Sequence, residues 1–264
     1  MRILKILILT ILLFSFSPFQ AFADKSDDTL VIAFSREITN LDYHYGTKTE
    51  YLILGDMIDD SLFYVENENL TYAPSLASDF NVVDDVTLDV NLRQGVKFHD
   101  GSEMTSDDVV YTYNFIVTND KNRRHKKLAS WLKSIEKTGK YSVRFNLNSP
   151  YANLFNDLYR IKIRKNGIMG TDGNWDDNAQ ATSLNGLGPY KVISFDPGVE
   201  VVLERNESYF GGPKGNPAIK NLIIRSIPDM GTQQAELMSG GIHWMYNVKK
   251  DVGEAMAKTG KADY

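Results

Sequence analysis

The stretch from Leu92 to Val117, with the strand that leads into it from Thr87, constrains the fold more than any other part of the chain. Its pattern predicts a strand, a turn and a helix in direct succession. It opens with alternating apolar and polar side chains, as in a strand with one buried face. The apolar positions are Leu88, Val90 and Leu92. Residues 96–98 can form a second short strand. The His-Asp-Gly-Ser sequence at 99–102 then favours a turn, since Gly tolerates positive φ and Asp bonds to nearby backbone amides.

The helix in this stretch has a recognisable start. Thr105 and Asp108 are three residues apart, which is the spacing of a capping box with Asp in the position usually held by Glu. An apolar stripe follows at helical spacing and consists of Val109, Tyr113, Ile116 and Val117. Local chemistry therefore predicts a small α/β unit, and we expect His99 to belong to the turn of that unit.

The residue order of this unit resembles the phrase L-R-x-G-V-K-F-H-D-G, followed by Asp-Val, of the family 5 solute-binding proteins of ABC importers. That family includes dipeptide, oligopeptide and nickel receptors. The matching positions are Leu92, Arg93, Gly95, Val96, Lys97, Phe98, His99, Asp100, Gly101, Asp108 and Val109. The resemblance implies an α/β fold of the periplasmic binding protein type (type II, family 5). The fold would be incomplete here, with part of the first lobe and a small inserted subdomain.

Further segments resemble the same family. Leu30–Phe34 is an apolar run of strand length, typical of a strand covered on both faces, and a Leu-Asp-x-His segment follows it at 41–44. Residues 185–190, NGLGPY, resemble the family's x-G-T-G-P-Y. No phosphate-binding loop is present, so we interpret 185–190 as a crossing point between lobes.

The resemblance also implies domain boundaries. We expect 24–62 and 186–264 to form lobe I, incomplete and discontinuous, and 63–185 to form the inserted α/β subdomain. Relatives continue through a second lobe, so the resemblance covers the N-terminal portion only. The chain is therefore expected to be a fragment or a truncated gene product.

The first 23 residues predict a secretory signal peptide. Arg2 and Lys5 precede an apolar run at 6–16, and Ala21-Phe22-Ala23 provides a small-x-small cleavage site. An uncleaved membrane anchor is the alternative, although the run is shorter than the ~20 residues that span a bilayer. The chain has no cysteine, which excludes disulfides and a lipid-modified Cys. Together with the resemblance, this predicts a free periplasmic protein.

Composition and motifs argue against several classes of function. The formal net charge of −5 gives no support to nucleic-acid binding. Neither G-x-S-x-G nor H-E-x-x-H occurs, and the histidines at 44, 99, 125 and 243 are scattered, so neither a nucleophile motif nor a zinc site is recognisable. We expect a protein that is not an enzyme and has no cofactor.

The resemblance places a ligand-binding loop directly after the 41–44 segment. In oligopeptide receptors this loop pairs with the peptide backbone. By position, the residues nearest the ligand are Tyr45, Gly46, Thr47, Lys48 and Thr49. A solvated loop is the alternative interpretation.

A basic run at 119–127 has two interpretations. It can be a solvated face, as most charged runs are. Alternatively, Arg124 and His125 can face the cleft, because nickel receptors of the family have a similar Arg-His step and arginine can bind a carboxylate in a bidentate fork.

The function implied by the resemblance is capture of short peptides for an ABC importer. The expected partners are a short peptide or other small solute and the membrane subunits of the transporter, and we expect a monomer. Two alternatives remain open: a nickel or chelated-solute receptor of the same family, and a secreted chaperone-like or scaffolding protein.

Overall fold

The computed structural model describes residues 28–44, 48–66, 68–118, 123–168, 184–260 and 262–263. The predicted signal peptide lies outside the described residues. Among the helices of the described ranges, none is both long enough and apolar enough to cross a membrane.

The described residues form two main sheets, a small hairpin and several helices. The strands are β1 (Thr29–Phe34), β2 (Phe63–Val65), β3 (Tyr72–Pro74), β4 (Ala77–Asp84), β5 (Thr87–Leu92), β6 (Leu132–Gly139), β7 (Ser142–Leu147), β8 (Tyr190–Asp196), β9 (Glu200–Arg205), β10 (Asn221–Ser226) and β11 (Trp244–Met245). The helices are α1 (Thr49–Ile58), α2 (Ser106–Thr118), α3 (Arg123–Leu128), α4 (Leu154–Arg160), α5 (Met230–Ser239) and α6 (Lys250–Ala257).

The first sheet has five strands in the order β11-β1-β10-β9-β8, and β1 runs parallel to both of its neighbours. Successive residues of β1 enter two different cores. Ile32 and Phe34 pack with one apolar cluster, and Val31 and Ala33 pack with another. The prediction of a strand covered on both faces is therefore confirmed, because the apolar side chains on each face of β1 are buried in a core.

The second sheet is antiparallel, with the order β4-β5-β7-β6. Leu88, Val90 and Leu92 of β5 are all buried, whereas the residues between them are not, which confirms the predicted alternation. Helix α2 covers this sheet and contributes Val109 and Tyr113 to the same core.

The predicted capping box is present at the start of α2. The carboxylate of Asp108 accepts hydrogen bonds from the Thr105 backbone N–H (2.7 Å) and from the Thr105 hydroxyl (3.2 Å). The predicted strand at 96–98 is wrong, since Lys97 makes only an isolated bridge to Glu103. The turn at 99–102 follows so closely that no longer ladder fits: the Phe98 N–H already donates to the Ser102 carbonyl at 2.8 Å.

Candidate functional site

The parallel strands of the first sheet end at a common edge. Phe34 of β1 pairs with Ser226 of β10, and Ala33 pairs with Met245 of β11, so the carboxyl ends of three strands lie together. In open α/β sheets, ligands bind outside the carboxyl ends of the strands. We therefore take this edge, with the chain that leaves it, as the candidate site.

Short contacts fix the backbone at this edge. The Ile227 N–H donates to the Phe34 carbonyl (2.8 Å), and the Ile38 N–H donates to the Ser226 hydroxyl (3.3 Å). The Tyr246 ring packs edge-on against Phe34, with 5.8 Å between the ring centroids. The chain leaving β1 is thus held against the ends of both neighbouring strands.

Helix α1 begins beside this edge. The Tyr51 hydroxyl lies 3.4 Å from the Thr39 N–H that donates to it and 3.2 Å from the Thr39 hydroxyl. Tyr51 itself is buried, and the ammonium of Lys48 lies 6.0 Å from its ring centroid. Packing and hydrogen bonding together therefore anchor the amino terminus of α1 to the segment that follows β1.

Glu50 and Arg36 are two of the charged residues beside this edge. Glu50 lies in the first turn of α1 and is 5% exposed. The Arg36 side chain is 62% exposed, and its Nε lies 3.9 Å from Glu50 Oε1. We did not predict Glu50 from the sequence. An acidic residue directly after the proposed loop was the only available signal, and its burial depends on the tertiary structure.

The structure describes only part of the predicted ligand-binding set. Lys48 is half-buried at the N-cap of α1, and Thr49 is exposed as the first residue of the helix, so both lie next to Glu50. The rest of the predicted loop, Tyr45, Gly46 and Thr47, lies outside the described residues. Assignment of this loop to the ligand stays a prediction.

The two residues of the basic run are located only by their backbone. Arg124 and His125 belong to α3, which follows α2 on the four-stranded sheet, and their side chains lie outside the described part of the structure. Their interpretation as ligand-binding residues stays a prediction.

A buried ionic cluster holds the segment that follows β1. The guanidinium of Arg164 donates to Asp42 at 2.9 Å and also contacts Asp59, and all three side chains are fully buried. Burial disfavours ionised Asp42, but the charges and hydrogen bonds of Arg164 and His44 together outweigh burial, and the pKa of Asp42 lies below its usual value. Burial raises the pKa of Asp59, which shares the same guanidinium. The segment after β1, the end of α1 and the segment after α4 are therefore held together.

The His99 ring joins the two sheets. Its Nδ1 accepts from the Gly186 N–H at 3.3 Å, and its Nε2 donates to the Gly188 carbonyl at 3.0 Å. His99 lies in the predicted turn, and its ring in addition bonds to a segment 87 residues away. On its other side this segment meets α1, because the Gly188 N–H donates to the Ile58 carbonyl at 2.8 Å.

These contacts predict a pH dependence of stability. Burial lowers the pKa of His99 from 6.5 to about 4, because it disfavours the charged imidazolium. Between those pH values the unfolded chain binds a proton that the folded chain does not, so stability falls as the pH falls. The free energy of unfolding of the parent protein should therefore decrease between pH 7 and pH 5. We expect this decrease to be about 1–2 kcal/mol smaller in His99→Gln, measured by urea unfolding.

The comparison with the parent protein isolates His99 from other groups. His44, whose pKa burial also lowers to about 4, is present in both proteins and contributes equally to both curves. Identical pH dependence of the two proteins would contradict the neutral assignment of His99.

A cavity of about 870 Å³ lies at the opposite, amino end of β1. Thr29, Leu30, Trp244 and Met256 are among its lining residues. Met245, at the carboxyl end of β11, also lines it, but Asp28, Thr29 and Leu30 place most of it at the amino end of β1, and we do not assign the site to it. Among the described residues, no cluster of three or more His, Cys, Asp or Glu side chains is placed to hold a metal ion.

Comparison with known proteins adds independent information. The family model described as bacterial extracellular solute-binding proteins, family 5 middle, matches residues 71–264. The oligopeptide-binding protein AppA of Bacillus subtilis is 32% identical over 219 residues, which cover 81% of this chain and 36% of AppA.

Solved structures resemble the fold. The structure of Bacillus subtilis AppA in complex with a nonapeptide matches with a TM-score of 0.72 and 30% identity, over 81% of this chain and 43% of that one. NikZ from Campylobacter jejuni in complex with Ni(L-His) matches with a TM-score of 0.68 and 26% identity, over 82% and 42% of the two chains. The chain thus spans less than half the length of these relatives.

Proposed function

Because the chain belongs to family 5 of the bacterial extracellular solute-binding proteins, we propose that it captures short peptides in the periplasm for an ABC importer. Its mixed α/β fold is that of the family 5 periplasmic binding proteins, of which the chain covers part. Proteins of this family are extracellular or periplasmic and bind solutes, and they are not enzymes.

The observation that supports a peptide is the similarity to AppA, whose solved structure contains a nonapeptide. The candidate site has chemistry suited to such a ligand. A peptide offers carbonyl acceptors and charged groups, and the edge presents the first N–H groups of α1 together with Glu50 and Arg36. Lys48 makes no side-chain cap hydrogen bond within the described part of the chain, and the Tyr51 N–H already donates to the Lys48 carbonyl at 3.1 Å. The N–H groups proposed to meet the ligand are therefore those of Thr49 and Glu50.

We propose that the peptide is enclosed between two lobes, as in hinged binding proteins. In this proposal the first lobe, 24–62 with 186–264, contains the five-stranded sheet, and the inserted subdomain, 63–185, contains the four-stranded sheet. Closure removes water from the ligand, so each charged group of the ligand needs a partner in the cleft.

A chelated nickel ion is the second candidate, favoured by the similarity to NikZ, which was solved with Ni(L-His). The two candidates predict different contents of the purified protein. Native mass spectrometry of material from the periplasm is expected to show peptide adducts. Nickel with a small chelator instead would replace the peptide proposal, and unmodified protein that also fails to bind peptides in calorimetry would contradict it.

Thr49→Pro tests the role of the α1 amino terminus. Thr49 is the first helical residue, where proline is tolerated, and Lys48 before it has the extended backbone (φ −80°, ψ 152°) that a following proline requires. The change removes one N–H donor without breaking the helix. We expect peptide affinity to fall about threefold to tenfold, measured by calorimetry.

Thr49→Ala is the matched control, since it removes the same side chain and keeps the N–H. Its affinity should stay close to that of the parent protein. An equal loss of affinity in both variants would point to the hydroxyl. Unchanged affinity in both would mean that this N–H does not contact the peptide.

A further inference from the structure

One carboxylate at the candidate site lacks the partners that buried carboxylates normally have. The Glu50 side chain is 6% exposed, and its Oε2 has no hydrogen-bond partner among the described residues. Its Oε1 lies 3.9 Å from Arg36 Nε, which is beyond hydrogen-bonding distance. Burial of a charged group without hydrogen bonds is unfavourable, and each such group in a native structure requires an explanation.

Other buried carboxylates of the chain are differently placed. Asp60 accepts from Tyr209 at 2.8 Å and pairs with Lys214 at 2.8 Å. Asp157 accepts from the Tyr151 hydroxyl at 2.8 Å, and Asp108 accepts from its capping partner and from Asn166. These three carboxylates have structural roles that explain their burial, and Glu50 has no comparable bond in the described part.

The helix dipole alone does not explain Glu50. An acidic side chain in the first turn of a helix is favourable, and it is already favourable when it is exposed to water. Burial adds a desolvation cost that the dipole does not require. Binding of an external cation would offset that cost, and it would do so at the edge where we propose the peptide to bind.

Arg36 indicates what kind of group fits there. It is the cation nearest to Glu50 within the described residues, yet it is largely exposed and too distant to donate a hydrogen bond. A side chain held this loosely can turn into water when a better-placed cation arrives. The neighbouring Tyr51 is already engaged with Thr39 and cannot turn towards the carboxylate without losing those contacts.

We propose that Glu50 forms a subsite for a positively charged nitrogen group of the solute, either an ammonium or a guanidinium. This inference rests on the proposed function, because it assigns one polar group of the peptide to one residue of the cleft. The group donates hydrogen bonds to the Glu50 carboxylate when closure removes water from the site. The subsite makes the protein prefer peptides that contain such a group at the corresponding position.

The test compares Glu50→Gln with Glu37→Gln in calorimetry. Glu37 is exposed on the same segment as Arg36, so its replacement changes the net charge equally and leaves the buried carboxylate in place. Each protein is titrated with four nonapeptides: one containing lysine, the same peptide with norleucine for lysine, and the N-acetylated form of each. Norleucine matches the length of lysine without its charge.

We expect the parent protein and Glu37→Gln to bind the fully charged peptide at least tenfold more tightly than one of its neutralised forms. Glu50→Gln should lose that preference and bind the neutralised peptide as the parent does. If the parent protein binds the norleucine peptide more weakly, the group is a side-chain ammonium. If it binds the acetylated peptide more weakly, the group is the amino terminus. An unchanged preference in Glu50→Gln, or an equal loss for all four peptides, would overturn the subsite.

A ligand-free measurement separates this inference from the proposed function. If Glu50 is an unpaired buried charge, Glu50→Gln should unfold at the same temperature as the parent or higher, because a neutral amide costs less to bury. A lower unfolding temperature would show that Glu50 has a structural partner and would overturn the subsite. Failure of the parent protein to bind any of the peptides would instead overturn the proposed function, and with it the peptide as the source of the cation.

Discussion

Arg164→Met is expected to destabilise the protein by about 3–5 kcal/mol, because it leaves Asp42 and Asp59 buried without their shared cation. The long apolar side chain of methionine keeps most of the volume of arginine. The loss of stability therefore comes from removing the charge and not from a cavity. Urea unfolding followed by circular dichroism measures it. The loss should shrink when Asp42 and Asp59 are also replaced by Asn, since no buried charge then remains unpaired.

Arg144→Met is the matched control. Arg144 donates to both oxygens of Asp89 at 2.6 and 2.7 Å, but both side chains are partly exposed on the four-stranded sheet. Exposed ion pairs contribute little to stability, because water and salt screen them. If the two arginine variants lost similar stability, burial of the Arg164 cluster would not be what makes it important.

Gly188→Ala is the second substitution with a large expected effect. A Cβ at Gly188 would lie 2.6 Å from two backbone atoms, Asp59 N and Met57 O, and backbone cannot turn aside as a side chain can. We expect a loss of about 3 kcal/mol or more, the upper part of the range for overpacking. Peptide affinity should fall as well, because α1 must shift and its amino terminus lies at the candidate site.

Gly139→Ala provides the comparison for that clash. Its added Cβ would meet only the hydroxyl of Ser142, at 2.7 Å, and this side chain can rotate away. Its free energy of unfolding should stay within about 1 kcal/mol of the parent value. A Gly188→Ala protein as stable as Gly139→Ala would mean that the 184–190 segment does not press against α1 as closely as the structure shows.

The parts of the fold that were predictable have short-range causes. The alternation in β5 and the capping box of Thr105 and Asp108 depend on residues within a few positions of each other. Both are therefore visible in the sequence and both are confirmed. The strand predicted at 96–98 failed because a period-2 pattern does not show how much room the next turn leaves.

The candidate site was predictable only in outline. Resemblance to a family directed attention to the loop that ends at Lys48 and Thr49, and the structure places these two residues at the start of α1 beside the strand ends. The resemblance gave no indication of Glu50, whose side chain is unusual only because it is buried. The ligand-binding roles of 45–49, Arg124 and His125 stay predictions.

The sequence by itself determined the class of the protein through the resemblance of its ordered motifs to a family. It also determined the character of the local elements, since periodicity, caps and turn residues act over a few positions along the chain. Only the tertiary structure decided which polar residues are buried and which distant residues they bind. Arg164 meets Asp42 across 122 positions, and the His99 ring meets Gly186 across 87. The energetic consequence of a charge or an imidazole depends on whether distant segments exclude water from it, and no local pattern encodes that exclusion.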